Sequence, residues 1–176
     1  MSRQLHLALA VMALATLGAC APGWRDTDVP MRAVTELDPA RYAGRWYEIA
    51  RFPVRFQEGC TATTATYGLR ADGTLAVTNR CRMGTPDGPQ RQISGSARVV
   101  DGGRLSVRLG WVPVWAPYWV LWVDRDYATA VVGVPSGRAG WILARSPEIP
   151  PDRLRAARAA LQSAGYDLSR LEMTRH

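Results

Sequence analysis

The chain contains no lysine. All 22 of its basic side chains are arginine. That excludes a Walker P-loop, whose lysine reaches the phosphates, and every Schiff-base mechanism. Histidine is nearly absent too: His6 sits in an apolar N-terminal stretch and His176 is the last residue. A body without histidine offers no Ser–His or Cys–His dyad and no histidine metal site. The motifs G-x-S-x-G, C-x-x-C, G-x-G-x-x-G and H-E-x-x-H are all missing. The expectation is a protein that is not an enzyme and carries no cofactor or metal.

What is present suits one folded domain. The 176 residues are 47% hydrophobic with a formal charge of +7, which excludes a disordered chain and leaves little length for a second domain.

The N-terminus reads as an export segment. Arg3 precedes an apolar run over 7–17. As a helix that run spans about 16 Å, against about 30 Å of bilayer hydrocarbon, so it is too short to cross. A charged start, a short apolar run and small residues describe a secretory signal. Leu17-Gly18-Ala19-Cys20 resembles a bacterial lipobox. That resemblance implies cleavage after residue 19 and acylation of Cys20 with diacylglycerol and an amide-linked fatty acid such as palmitate. The alternative is an ordinary signal peptide that happens to contain Cys. Ala21, where Asp would retain a lipoprotein in the inner membrane, favours the outer membrane. Residues 1–19 are therefore expected to be removed, and 20–38, polar and punctuated by Pro and Gly, to form a lipidated tether.

If Cys20 is acylated, Cys60 and Cys81 remain as a pair in an oxidising compartment. They flank two β-rich runs joined by Arg70-Ala71-Asp72-Gly73, at similar distances from the turn, and so predict a disulfide across the open end of a hairpin.

Eight short strand-like runs follow from Gly44 to Arg145, separated mostly by Gly, Pro or Asp clusters. One amphipathic helix comes after Pro150-Pro151-Asp152, with Leu154, Ala157, Leu161 and Ala164 on its apolar face and Gly165 as its stop. Arg153, Arg155 and Arg158 are expected on a solvated face. This pattern predicts an all-β fold, an eight-stranded antiparallel up-and-down barrel, with one C-terminal α-helix packed outside.

Three motifs narrow this further. Gly44-Arg45-Trp46-Tyr47 resembles the G-x-W opening of the lipocalins. Asp124-Arg125-Asp126-Tyr127 resembles their T-D-Y turn, with Arg in the Thr position. Arg145 resembles the arginine ending their eighth strand. The order and spacing fit across 37–174, and residues 39–176 are read as a lipocalin domain. It looks most like the bacterial outer-membrane lipoprotein group related to apolipoprotein D. The resemblance implies that Trp46 closes the barrel floor beneath the Arg145 guanidinium. It also implies that Asp126 and Tyr127 order the neighbouring turn, and that all these motif residues, Gly44 included, are structural.

With Trp46 and Arg145 pointing inward, alternation carries the reading along the strands. Glu48 and Ala50 are expected in a ligand pocket, with Trp141 and Leu143, then Leu105, Val107 and Leu109. The lipocalin register adds Val120 and Trp122. The hairpin adds Tyr67, Val77 and Asn79, subject to a bulge near Asp72-Gly73. Glu48 could orient a ligand or pair with an arginine. Trp111, Trp115 and Trp119 fall in or beside an apolar, Pro-broken loop, placed at the open end as a pocket mouth or membrane contact. The loop could instead meet a second copy, giving a homodimer, or fold inward.

The resulting expectation is an outer-membrane, lipid-anchored protein on the periplasmic face. It would bind fatty acids, lysophospholipids or phospholipids for storage or transport in membrane maintenance. The alternatives are a ring-shaped hydrophobic ligand, such as a tetrapyrrole or sterol, and a structural lipoprotein with a filled barrel. Nucleic acid is not an expected partner.

Overall fold

A computed structural model describes residues 23–110 and 112–176. The expected signal peptide over 1–19, the acylation site Cys20 and Trp111 lie outside the described residues.

Eight antiparallel strands close a barrel. They are β1 (Gly44–Arg51), β2 (Cys60–Leu69), β3 (Leu75–Met83), β4 (Gln90–Asp101), β5 (Arg104–Leu109), β6 (Ala116–Val123), β7 (Thr129–Gly133) and β8 (Gly140–Ala144). Each pairs with its neighbour in sequence, and β1 pairs with both β8 and β2, so the barrel has no free edge. A two-residue strand, β9 (Glu172–Met173), adds to β1. Beyond it, Thr174 N–H donates to Ile49 O and Ala62 N–H donates to Arg175 O, so this tail fills the gap where β1 and β2 part.

The short helix α1 (Pro39–Tyr42) precedes the barrel. Asp38 caps it by accepting from Ala40 and Arg41 N–H. Helix α2 (Pro151–Ser163) packs outside, burying Ala157 and Leu161, and ends before Gly165 at φ 85°. Two apolar clusters result. Tyr42, Trp46, Leu75, Leu105, Val120 and Val132 fill the lower barrel. Ile49, Phe52, Val131, Ile142, Leu161 and Tyr166 join the outer wall to α2.

Residues 23–38, read from sequence as a tether, are instead a strap laid on the barrel. Trp24 N–H donates to Gly137 O, Asp26 N–H to Gly165 O, and Val34 N–H to Val120 O. Arg25 donates to the carbonyls of Ala164 and Pro135 at 2.8 and 2.9 Å. Gly137, at φ 68°, makes room, because a Cβ there would lie 2.2 Å from Arg25 Cγ. Met31, Val34 and Leu37 pack against the two clusters. The folded unit therefore begins well before residue 39. No periodicity marks this strap because its bonds run to residues distant in sequence.

The hairpin disulfide joins Cys60 and Cys81, 5.4 Å apart at Cα. The bulge anticipated near Asp72-Gly73 lies instead between Thr61 and Thr64, where Ala62 has φ 44°. Cys60 consequently pairs in register with Met83, and the bridge runs diagonally. Because the bridge closes a span of 21 residues, its removal by paired Cys60→Ala and Cys81→Ala changes is expected to cost about 3 kcal/mol of stability. Denaturant unfolding of the variant, and of the native chain with and without reductant, measures this.

Candidate functional site

β1 runs from the closed end to the open end, and successive strands alternate direction. The loops after β1, β3, β5 and β7 therefore gather at the open end. There the barrel contains a cavity of about 650 Å³, within the range of about 300–1,000 Å³ usual for small-molecule sites. Its lower wall is Tyr67, Val77, Val107, Tyr118 and Leu143. Its upper wall includes Glu48, Thr63, Asn79, Leu109 and Trp141, and the mouth is rimmed by Phe56, Ile93, Val112 and Val114 with Arg91 among them.

The polar groups in this wall divide into two kinds. Glu48 is fully engaged: it is buried, its Oε1 accepts from Arg51 and Thr174 at 2.8 Å, and its Oε2 accepts from Gln57. Gln57 in turn accepts from Trp141 Nε1 at 2.9 Å. Of the two roles open to Glu48, this geometry supplies the arginine pair. Arg51→Met would leave a buried carboxylate without its cation and is expected to cost about 3–5 kcal/mol, read by thermal unfolding. In contrast, Thr63 Oγ1 and Asn79 Oδ1 are buried without a protein hydrogen-bond partner among the described residues. Both residues line the cavity, and these two oxygens lie just behind its surface.

At the base, the Tyr67 hydroxyl donates to Tyr118 Oη at 2.8 Å, and the Tyr42 and Tyr118 hydroxyls are bonded at 2.9 Å. Burial pushes Tyr67 up to about 12, and burial together with the neighbouring phenols holds Tyr42 and Tyr118 well above the ordinary phenol range. Tyr166, buried under α2, is likewise raised to about 12. In the unfolded chain these phenols ionise near about 10. Their contribution to stability is thus complete below that pH and is lost as the pH rises through 10 towards 12, because the unfolded state sheds its protons first. Ultraviolet titration should show these four phenols ionising together with unfolding.

Eight of the twelve side chains assigned to the pocket from sequence line this cavity: Glu48, Tyr67, Val77, Asn79, Val107, Leu109, Trp141 and Leu143. The other four do not. Leu105 and Val120 point into the barrel but belong to the solid packing beneath the cavity. Ala50 and Trp122 lie on the outer face, against the α2 cluster. In both cases a bulge is responsible. The register shifts between Glu48 and Ala50 on β1, and between Val120 and Trp122 on β6. One extra residue reverses which face the following side chain occupies.

Of the tryptophans placed at the mouth, Trp115 and Trp119 do not rim the cavity. Trp115 lies under the guanidinium groups of Arg98 and Arg108, and Trp119 under that of Arg104 at 4.7 Å. Neither lines the cavity; the loop contributes Val112 and Val114 instead. Sequence reasoning also missed Tyr118, although its parity matches Val120. It missed Gln57 and Phe56, which a 3-10 turn at Arg55–Gln57 carries over the mouth with no periodic signal.

The closed end holds the motif residues. Trp46 is fully buried, with Arg145 Cζ 3.8 Å from its ring centroid. Arg145 also donates to the carbonyls of Arg41, Ala43, Arg45 and Tyr127 at 2.7–3.1 Å. Gly44, at φ 97°, sits where a Cβ would lie 3.1 Å from Arg145. Tyr127, at φ 56°, accepts from Asp38 N–H, and Arg41 stacks on its ring. Asp126 does not order the turn as expected. Asp124 does, by accepting from Ala128 and Thr129 N–H, while Asp126 is exposed. Arg153 spans Asp124 and Asp126 at 3.3 and 3.7 Å, so it is a link from α2 to this turn and not part of a purely solvated face.

Comparison with known proteins agrees with this geometry. A family model described as a lipocalin-like domain matches residues 37–176. The chain is 38% identical over 155 residues to temperature-induced lipocalin-1 of Arabidopsis thaliana, covering 82% of each chain. It is 36% identical to the outer membrane lipoprotein Blc of Escherichia coli K12, covering 96% of this chain and 94% of that one. It is 32% identical to bovine apolipoprotein D, covering 78% and 76%. Among solved structures, insecticyanin from the tobacco hornworm Manduca sexta superposes with a TM-score of 0.66 over 88% of this chain and 87% of that chain, at 21% identity, a likeness of fold.

Proposed function

The chain belongs to the lipocalin family, barrels that bind small hydrophobic ligands, and on that premise we propose that it is an outer-membrane lipoprotein that holds an acyl lipid in its barrel. The observation that carries this reading is the open apolar cavity of about 650 Å³, with the polar residues Thr63 and Asn79 in its wall. An acyl chain suits the apolar walls. Its ester or carboxylate end, which only accepts hydrogen bonds, suits the donors of Asn79 and Thr63, an amide NH₂ and a hydroxyl, with Arg91 at the mouth for an anionic headgroup. Burying about 250 Å² of chain at about 25 cal/mol per Å² supplies about 6 kcal/mol before association costs, enough for micromolar binding.

Anchoring through acylated Cys20, facing the periplasm, is part of the same proposal. It is supported by the lipobox-like Leu17-Gly18-Ala19-Cys20 and by the likeness to a protein named an outer membrane lipoprotein. The role would be storage or transport of lipid in membrane maintenance. A second reading, a flat ring-shaped ligand, is favoured by Tyr118 and Trp141, whose rings stack at 6.4 Å with an interplanar angle of 23°.

Titration with oleate, lysophosphatidylcholine, cholesterol and a free porphyrin, followed by quenching of tryptophan fluorescence, separates the two. Saturable micromolar binding of the acyl ligands alone supports the proposal. Preference for the rings replaces it with the second reading, and no binding of any of them contradicts both. The intact mass of protein recovered from membranes tests the diacylglycerol and palmitate at Cys20.

A further inference from the structure

We propose that the barrel stands mouth-down on the bilayer that anchors it, and that its cargo passes directly between that bilayer and the cavity. This rests on the lipid-carrier reading and on acylation at Cys20. The argument begins where the described chain starts. Trp24 N–H donates to Gly137 O in the loop after β7, and Trp24 Nε1 donates to Pro53 O in the loop after β1, at 3.0 Å. Both loops belong to the open end. Arg25, bound to the Pro135 and Ala164 carbonyls, locks the strap there. Cys20 is three residues before Gly23, a reach of at most about 11 Å for an extended chain. The anchor therefore holds the open end close to the membrane surface, and the barrel has little slack to turn over.

The surface presented is suited to lipid. Phe56, Ile93, Val112 and Val114 ring the cavity and are 53%, 42%, 44% and 64% exposed. Arg55, Arg82, Arg91 and Arg138 stand exposed on the same end, where they can meet lipid phosphates, although Glu58, Asp87, Asp26, Asp167 and Glu172 are exposed there too. Leu69, Val99 and Val100 are also exposed, at the closed end, so apolarity alone does not choose between the two ends. The strap's starting point does. It places the apolar rim, the arginines and the cavity opening on the anchored side, so an acyl chain leaving the bilayer need not cross water.

The test uses the full chain, processed in an outer-membrane bacterium and reconstituted into vesicles of phosphatidylethanolamine and phosphatidylglycerol that carry a photoactivatable phospholipid. Cross-links mapped by mass spectrometry are expected in 53–59, 84–94, 112–116 and 134–139. Cross-links concentrated in the closed-end turns 70–74, 101–104 and 124–128, on the Arg155 and Arg158 face of α2, or nowhere on the barrel would overturn the proposal. A Val112→Asp, Val114→Asp variant adds a second readout. Its loading from vesicles should slow at least about tenfold, because charge is driven into an apolar interface. Both residues rim the cavity, so its affinity for monomeric lysophosphatidylcholine is measured beside the rate, and the slowing should exceed any loss of that affinity. Equal loading rates would sink the mouth-down inference alone, whereas failure of the native chain to bind monomeric lysophosphatidylcholine would sink the carrier reading beneath it.

Discussion

Replacing Val107 by Trp should abolish lipid binding and leave the barrel folded. Val107 lies in the lower cavity wall and pairs in register with Ala97 on β4 and Ala116 on β6. Its neighbours across the sheet are thus small, and an indole can project into open volume without displacing a large side chain. The barrel's packed support lies below, around Leu105 and Val120, and is untouched. A ring filling the centre of a cavity of about 650 Å³ removes the surface an acyl chain would cover. Loss of most of about 6 kcal/mol of apolar burial weakens affinity by at least about a hundredfold, beyond the reach of an ordinary titration. Isothermal calorimetry measures the affinity, and thermal unfolding within a few degrees of the native chain shows that the fold survived. Undiminished binding would mean that the ligand sits elsewhere.

Arg145→Ala should produce the largest loss of stability of any single change at the closed end. The guanidinium covers the Trp46 ring and satisfies carbonyls from α1, β1 and the β6–β7 turn. Truncation removes a cation–π contact of about 0.5–2 kcal/mol and leaves several partly buried carbonyls to find water. Charge-assisted bonds contribute about 1.5–3 kcal/mol each, and partial rehydration recovers some of that, so a net cost of about 4 kcal/mol is expected. For a chain of this size it lowers the melting temperature by roughly 10 °C. Ligand affinity at low temperature should be unchanged, because the cavity opens at the other end. Arg145→Lys should recover little, since an ammonium group cannot span four carbonyls arranged around a plane.

These two sites differ in how far the sequence exposed them. The closed end was legible because its parts are unusual residue types at fixed spacing: Gly44, Trp46, Tyr127 and Arg145. The strand positions were legible because Gly, Pro and Asp punctuate them. The cavity wall was legible only where alternation runs unbroken, as from Leu105 to Leu109 and from Trp141 to Leu143. It failed at Ala50 and Trp122, where a bulge inserts one residue and reverses the face. A bulge leaves no mark in composition. The strap over 23–38 was hidden for a different reason. Val34 N–H bonds to Val120 O, a contact between residues far apart in sequence that local patterning does not encode. Trp115 and Trp119 misled as pocket-mouth residues because their bulk and apolarity suggested a rim, whereas they serve as platforms for arginines on the outer wall.

The central claim is that the barrel holds an acyl lipid. It is tested most directly by native mass spectrometry of the protein purified without detergent, as a Cys20→Ser chain lacking residues 1–19, with solvent extraction of whatever it carries. The account predicts a bound species of phospholipid, lysophospholipid or fatty-acid mass at one per barrel, released by extraction and absent from Val107→Trp. A barrel that emerges empty, and stays empty after incubation with fatty acids and lysophospholipids, would contradict it.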